Sequence, residues 1–224
     1  IGEKLPIIDL SPYIQGSPDT EGTAKLIREA CKNIGFFYIK NHGVPQPLID
    51  SIFSNLGKFF ASAGKKNDKS EWRNPESPGE VTTKSAKKKQ TESLTTTKPF
   101  TPAKNKIKPT QVINKTPLHG ENLYPKQVPA LKDDIQNWIK EMDRLGGVIM
   151  SAFAESLGLK KDFFSEGLCK DHYGLMHLFH YPPLPEGQKL QLLGEHCDYG
   201  FLTMLIGTER GLQVKTVNNE WVEA

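Results

Sequence analysis

The 224-residue sequence predicts an α+β fold, and two observations support this class. Before residue 157, apolar residues recur at spacings of three and four over three long stretches, which is the pattern of amphipathic helices. From Gly174 onward, the pattern changes to short apolar runs separated by glycine-containing turns, which is typical of strands. Helices that precede a group of strands, rather than alternating with them, favour α+β over α/β.

Two strands and two helices are predicted in the first sixty residues. Residues 5–10 alternate between apolar and polar side chains and predict a strand, and residues 36–40 predict a second one. Between them, Asp19 or Thr20 can cap a helix that runs to about Asn33 and ends at Gly35. We expect its core face to hold Leu26, Ile27, Ala30 and Ile34, with Cys31 also in the core. A second helix is predicted over residues 47–60, with an apolar stripe of Leu48, Ile52, Leu56 and Phe59.

The middle of the chain differs sharply in composition from the rest. Residues 64–117 contain 13 Lys and Arg against 5 acids, for a net charge of +8, while the other residues carry −5. Large apolar side chains are scarce there, and Ser, Thr, Pro and Lys dominate. Such a stretch buries too little apolar surface to offset its ordering entropy, so we predict a disordered insertion. Residues 1–63 then form an N-terminal part, and residues 118–224 form the remainder.

After this insertion, residues 129–157 predict the longest helix. Its apolar stripe repeats every three or four residues, through Leu131, Ile135, Trp138, Met142, Leu145, Ile149 and Phe153. We interpret the stripe as a core face against a sheet. Residues 160–166 predict a short helix, and residues 201–206 form a continuous apolar run that predicts a buried strand, followed by another strand at residues 212–214.

The most informative pattern is the pair His196 and Asp198, two residues apart at the start of this predicted strand. Alternate residues of a strand point to the same side, so the imidazole and the carboxylate would lie next to each other. Such a pair can supply two ligands of a 2-His-1-carboxylate iron(II) site, which leaves the opposite face of the metal open. The alternative is a solvated Asp at the end of a surface strand.

Four segments together resemble the isopenicillin-N-synthase-like branch of the iron(II)/2-oxoglutarate-dependent dioxygenases. They are Leu-Pro-Ile-Ile-Asp-Leu at 5–10, Gly-Phe-Phe-Tyr-Ile-Lys-Asn-His-Gly-Val-Pro at 35–45, His-Tyr-Pro-Pro at 180–183 and Gly-Glu-His-Cys-Asp-Tyr-Gly-Phe-Leu-Thr at 194–203. All four occur in the family's order. The resemblance covers residues 1–60 and 118–224, and it implies a double-stranded β-helix, or jelly roll, with flanking helices.

The resemblance also implies site residues and cofactors. His196 and Asp198 would be metal ligands, Tyr181 would bind the C1 carboxylate of 2-oxoglutarate, and Leu205 and Phe201 would line the pocket, although both could equally be core residues. Tyr181 could also be a packed aromatic residue at a strand end. The implied cofactors are Fe(II) and 2-oxoglutarate, with ascorbate as a candidate reductant. The implied reaction is the hydroxylation, desaturation or ring closure of a small organic molecule with O2.

The sequence also departs from the family pattern. The family has a second metal-binding His several dozen residues after the Asp, and then an Arg-x-Ser pair that binds 2-oxoglutarate. Here 26 residues follow Asp198 and none is His, so we expect a barrel that is truncated before it is complete. Three readings therefore stay open: an oxygenase seen incompletely, a pseudoenzyme or inactive fragment that lacks the second His, and an interaction protein that acts through its basic segment.

Composition limits the partners and the compartment. No apolar run of 18 residues exists, so no membrane partner is predicted. Few aromatic residues accompany the lysines of residues 64–117, so this segment offers no platform on which bases could stack, and a nucleic-acid partner is not predicted. Three unpaired-looking cysteines suit a reducing compartment, and we expect a cytoplasmic protein. The oligomeric state cannot be predicted.

Overall fold

The structure is a computed structural model that describes residues 5–63, the backbone of 92–97, and residues 122, 124–170, 172, 174–181 and 193–224. Helices and short strands are mixed along the chain, which confirms an α and β composition. The elements, in chain order, are β1 (Ile7–Asp9), α1 (Ser11–Ile14), α2 (Glu21–Asn33), β2 (Tyr38–Lys40), α3 (Gln46–Ala63), β3 (Glu92–Thr97), α4 (Ala130–Ser156), α5 (Phe163–Glu166), β4 (Leu175–His180), β5 (Gln213–Lys215) and β6 (Trp221–Glu223).

The residues group into two compact units. The first comprises Ile1–Val44, Met142–Lys170 and Asp198–Ala224, and the second comprises Pro45–Glu141 and Asp171–Cys197. The division into segments 1–63, 64–117 and 118–224, which was drawn from composition, stays a prediction.

Helix α2 forms where the sequence predicts it and belongs to the first unit. Thr20 occupies the N-cap, and Gly35 ends the helix in a left-handed conformation, with φ +74 and its N–H bonded to the Ala30 carbonyl at 2.9 Å. Its buried residues are Ala24, Ile27 and Ala30. The prediction was wrong for Leu26, which is 57% exposed, and for Cys31, which is also exposed. Each lies next to a buried residue in sequence, and one helical step of about 100° turns it away from the stripe.

The second unit contains helix α3 and the first part of α4. The prediction of both helices is confirmed, and each contributes a stripe of buried residues, namely Ile49, Ile52, Leu56, Phe59 and Phe60 from α3 and Leu131, Ile135 and Trp138 from α4. A polar contact fixes how these two helices face each other. The Asp134 carboxylate accepts hydrogen bonds from Ser51 Oγ at 2.9 Å and from Asn55 Nδ2 at 2.7 Å. Asn55 is buried, so this contact satisfies a group that would be costly to leave unpaired.

The described strands form three separate two-stranded sheets. Strands β1 and β2 pair in parallel, with Ile8 opposite Ile39, while β5 and β6 form an antiparallel hairpin with Val214 opposite Val222. Strands β3 and β4 pair antiparallel, from Glu92 opposite His180 to Thr97 opposite Leu175. The described part of the chain therefore shows no continuous barrel sheet.

Strand β3 lies inside the segment predicted to be disordered, so the prediction differs from the structure at these six residues. Its sequence, Glu-Ser-Leu-Thr-Thr-Thr, contains three β-branched residues in succession, and β4 provides its backbone pairing partner. The rest of 64–117 lies outside the described residues.

The predicted buried strand over residues 201–206 is not observed. The segment has no regular secondary structure, and Phe201, Leu205 and Ile206 are 59%, 72% and 45% exposed. No described strand pairs with it. A strand, unlike a helix, needs a neighbouring strand to satisfy its backbone groups. The next predicted strand is present, displaced by one residue, as β5.

Among the described residues, no helix has both the length and the apolar character that are needed to cross a membrane.

Candidate active site

His196 and Asp198 lie in an irregular segment that begins at residue 193, and both side chains are exposed. The His196 ring is oriented locally, because its Nδ1 lies 2.8 Å from the Gly194 carbonyl oxygen. A carbonyl only accepts hydrogen bonds, so Nδ1 carries the proton, and in the neutral ring Nε2 has the lone pair. This arrangement, in which one ring nitrogen donates to a carbonyl, is how metal-binding histidines are commonly held.

The donor chemistry of this segment fits two positions of an iron(II) site. An imidazole nitrogen and a carboxylate oxygen are the right ligand types for a facial triad. The third position is not met, because the described residues contain no group of three His, Cys, Asp or Glu side chains that could hold a metal ion. The residues therefore do not by themselves complete the triad.

Tyr181 follows directly after β4 and continues the alternation of that strand. It therefore shares an exposed face with Phe179, and the centroids of the two rings are 6.1 Å apart. Partial burial raises the pKa of the Tyr181 hydroxyl above its usual value, which keeps it protonated and able to donate a hydrogen bond.

His180 points to the other face of β4. Its ring stacks on Phe60 of α3, with centroids 5.1 Å apart and planes inclined by 22°. His180 and Tyr181 therefore face opposite sides of the strand. Any ligand that Tyr181 contacts is not shared with the His180 ring.

The two apolar residues predicted to line the pocket behave differently. The Phe201 ring packs against Phe153 at 5.9 Å and against Phe164 at 5.2 Å, within the first unit. Phe201 is nevertheless 59% exposed, so it is not a core residue, and its role in the pocket stays a prediction. Leu205 is 72% exposed, and its role in the pocket stays a prediction.

Sequence reasoning missed a polar cluster in the first unit. The Glu155 carboxylate accepts hydrogen bonds from Tyr13 Oη at 2.6 Å and from Thr20 Oγ1 at 2.7 Å, and Lys161 Nζ lies 3.5 Å away. Lys161 Nζ also donates to Thr20 Oγ1 at 2.7 Å and lies 5.3 Å from the Tyr13 ring centroid. A cavity of about 260 Å³ adjoins the cluster. No local sequence signal marks it, because its members lie up to 148 residues apart.

The charges of this cluster indicate a structural role. Burial alone would raise the pKa of Glu155, but the hydrogen bonds from Tyr13 and Thr20 and the Lys161 ammonium outweigh it and lower that pKa. Burial, and then the Glu155 carboxylate, raise the pKa of Tyr13. At neutral pH the acid thus stays ionised and the phenol stays protonated, so neither group is poised to transfer a proton.

A second cluster ties β1 to its neighbours. The Asp9 carboxylate accepts hydrogen bonds from the Ser11 backbone N–H and from Asn41 Nδ2, both at 2.8 Å, and Lys40 Nζ lies 3.5 Å away. The Ser11 hydrogen bond first, and then the Asn41 amide and the Lys40 charge, lower the pKa of Asp9 well below its usual range. Asn41 adopts a left-handed φ of 55 that aims its amide at this carboxylate.

The class of the protein is shown by comparisons with known proteins. A family model described as "non-haem dioxygenase in morphine synthesis N-terminal" matches residues 5–127. A Dictyostelium discoideum protein, named as a probable iron/ascorbate oxidoreductase, is 34% identical over an alignment that spans 99% of this chain and 68% of the relative. Isopenicillin N synthase of Streptomyces jumonjinensis is 30% identical over 96% of this chain and 69% of its own length.

Solved structures show the same fold. A Neurospora crassa protein, solved at full length in complex with alpha-KG and 5-formyluracil, has a TM-score of 0.72 at 24% identity, covering 100% of this chain and 70% of that one. A 2OG-Fe(II) oxygenase family protein of Caulobacter crescentus has a TM-score of 0.73 at 22% identity, over 99% of this chain and 70% of its own. The chain belongs to the iron(II)/2-oxoglutarate-dependent dioxygenase superfamily, in its isopenicillin-N-synthase-like branch. Iron(II) and 2-oxoglutarate are the cofactors of this enzyme family, and ascorbate appears in the name of the Dictyostelium relative.

Proposed function

We propose that this protein is an oxidoreductase that uses iron(II), 2-oxoglutarate and O2 to hydroxylate, desaturate or cyclise a small organic molecule. Family membership supports the reaction class, and the arrangement at His196 carries the assignment of the site. Its Nδ1–H points to the Gly194 carbonyl, so that Nε2 is the nitrogen that would bind a metal.

The residues have separate roles in this proposal. His196 and Asp198 are two of the metal ligands. The third ligand is not among the side chains that the described residues place near them. The Tyr181 hydroxyl, kept protonated by its raised pKa, donates a hydrogen bond to a carboxylate of 2-oxoglutarate. Leu205 contributes apolar surface to the pocket. When bound, iron(II) with 2-oxoglutarate and O2 supplies the oxidation of a C–H bond.

A second candidate is a pseudoenzyme, which would retain the fold of the family without holding iron. The basic segment, on which an interaction function would depend, lies largely outside the described residues. Whether the chain binds iron(II) distinguishes the oxygenase from the pseudoenzyme directly.

The test is an anaerobic titration of the purified chain with iron(II), with and without 2-oxoglutarate, while following the weak visible charge-transfer band of the ternary complex. We expect a band that needs both additives and is lost in His196→Ala and Asp198→Ala. His172→Ala is the matched control, because His172 is also an exposed histidine of the second unit, and its band should persist. A folded wild-type sample that gives no band would overturn the proposal for the chain as given.

A further inference from the structure

A cavity of the first unit takes no part in the proposed function. It has a volume of about 260 Å³ and is lined by residues of segment 12–20, by Val148 and Ser151 of α4, and by Lys161. All of these residues belong to the first unit. None of them is among the residues predicted to bind iron or 2-oxoglutarate, so the chemistry of this cavity is a separate question.

The charge on the cavity wall is positive. Among the described residues, Lys161 is the only charged side chain that lines the cavity. The Glu155 carboxylate, which lies 3.5 Å from Lys161 Nζ, is not part of the wall, and it is already occupied by the hydroxyls of Tyr13 at 2.6 Å and Thr20 at 2.7 Å. A wall that presents a cation and no acid favours an anionic ligand over a cationic one.

The same polar cluster holds the Lys161 ammonium in place. Its Nζ donates to Thr20 Oγ1 at 2.7 Å and lies 5.3 Å from the centroid of the Tyr13 ring. Thr20 is 2% exposed, so the group that anchors Nζ is itself fixed in the interior. An ammonium has three N–H groups, and among the described residues Thr20 and Glu155 account for two of them. One N–H group of a positioned cation is left to donate to a ligand.

The rest of the wall offers a second donor and apolar surface. The Ser17 hydroxyl lies 3.4 Å from the Asp19 carbonyl oxygen, which is long for a hydroxyl donor, so its proton can turn to a stronger acceptor. Pro12 and Val148 contribute apolar surface. The cavity volume exceeds the roughly 150 Å³ that accommodates a benzene ring inside a protein. It therefore has room for one ring that carries a carboxylate.

We propose that this cavity is a binding site for a small monocarboxylate with an apolar body. The carboxylate accepts hydrogen bonds from Lys161 Nζ and Ser17 Oγ, and the apolar body packs on Pro12 and Val148. A single cation in the wall matches a single negative charge, because a second carboxylate would lose water without gaining a partner. The inference goes beyond the proposed function and does not depend on it.

The experiment compares benzoate with benzamide, which has the same shape but no charge. Binding to the full chain is measured by isothermal titration calorimetry at pH 7, without iron. We expect benzoate to bind about tenfold more tightly, at the low end for a charge-assisted hydrogen bond, because the Lys161 side chain is 49% exposed and shares its charge with Glu155. Equal affinities, or no binding of either probe, would overturn the inference.

A charge variant tests whether Lys161 is the residue responsible. Lys161→Met keeps the length of the side chain and removes the charge, so the preference for benzoate should fall to about one. Lys160→Met is the matched control, because Lys160 is an exposed neighbour that does not line the cavity, and it should keep the wild-type preference. A preference that persists in Lys161→Met places the anion elsewhere and overturns the assignment.

A second variant fills the cavity without touching the charge. Ser151→Leu places an apolar side chain in the wall, and α4 should tolerate it because Leu has a higher helix propensity than Ser. Both probes should then bind at least severalfold more weakly, and unchanged affinities would contradict the location of the site. Circular dichroism checks that each variant is folded.

The failure of this proposal can be told apart from that of the proposed function. His196→Ala should abolish the charge-transfer band but keep the wild-type affinity for benzoate, since His196 does not line the cavity. A loss of benzoate binding in His196→Ala would place the anion at the predicted metal site and overturn the inference. A wild-type chain that prefers benzoate through Lys161 but gives no band would leave the cavity site standing and refute the oxygenase function.

Discussion

Helix α3 and residues 201–206 both contain many apolar side chains, yet they differ in how far those side chains are buried. Phe59 of α3 is fully buried, whereas Phe201 is 59% exposed. A helix satisfies its own backbone hydrogen bonds and can then bury one stripe against a neighbour. An extended run needs a second strand before it can be buried at all. Apolar content alone therefore does not decide burial, and the availability of a backbone partner does.

The difference in burial between α3 and residues 201–206 is tested most strongly by removing one phenyl ring from each. Phe59→Ala should lower the free energy of unfolding by about 3–5 kcal/mol, because it leaves a cavity in a packed core. Phe201→Ala should cost about 1 kcal/mol or less, since much of its ring is already solvated. Urea unfolding followed by helix circular dichroism measures both. Should Phe59→Ala leave no folded baseline, Phe59→Leu gives a smaller loss that must still exceed that of Phe201→Ala. Equal losses would contradict the contrast.

The polar cluster of the first unit gives the next largest effect. Glu155→Ala leaves the buried Thr20 hydroxyl without its carboxylate partner, and we expect a loss of about 2 kcal/mol. Because the pKa of Glu155 is lowered on folding, its stabilisation is present above the unfolded pKa and is lost as the pH falls through the folded pKa. Urea unfolding at pH 7 and pH 3.5 should therefore show a smaller acid-induced loss in Glu155→Gln than in the wild-type chain. An unchanged pH dependence would show that the carboxylate charge does not matter.

The smallest expected effect concerns Asp9, which joins β1 to its surroundings rather than filling a core. Its pKa is also lowered on folding, so its contribution disappears only in acid. Asp9→Asn keeps an oxygen for the Ser11 N–H but removes the charge. The drop in melting temperature between pH 7 and pH 2 should be smaller in this variant than in the wild-type chain, because the contribution of Asp9 is lost only as the pH falls toward its strongly lowered folded pKa. Glu29→Gln, which alters an exposed acid of α2, is the control and should keep the wild-type drop.

The helices could be predicted from the sequence because each one carries its signal locally. Thr20 and Gly35 mark the two ends of α2, and the stripe through Leu131 and Ile135 marks α4. In α2, the errors at Leu26 and Cys31 arose because each lies one position from the buried stripe. The strands predicted at residues 5–10, 36–40 and 212–214 form as β1, β2 and β5, whereas the strand predicted at residues 201–206 is not observed, because no described strand pairs with it.

The candidate site could be predicted only in part. Chemistry and spacing identify His196 and Asp198, and their assignment as metal ligands stays a prediction that the titration tests. The sequence did not predict which face of β4 is covered, because that depends on the packing of α3, whose Phe60 ring stacks on His180.

Cys197 stands between the two predicted ligands, and its thiol is exposed. This placement makes a fluorescent label on Cys197 a direct probe of metal binding. A fluorophore attached to that sulfur would be carried by the residue between the two predicted ligands, and a paramagnetic ion bound by those ligands would quench its emission. Cys31, exposed on α2, offers a second attachment point remote in sequence that would serve as the internal reference. Metal occupancy could then be followed at concentrations far below those that visible spectroscopy requires.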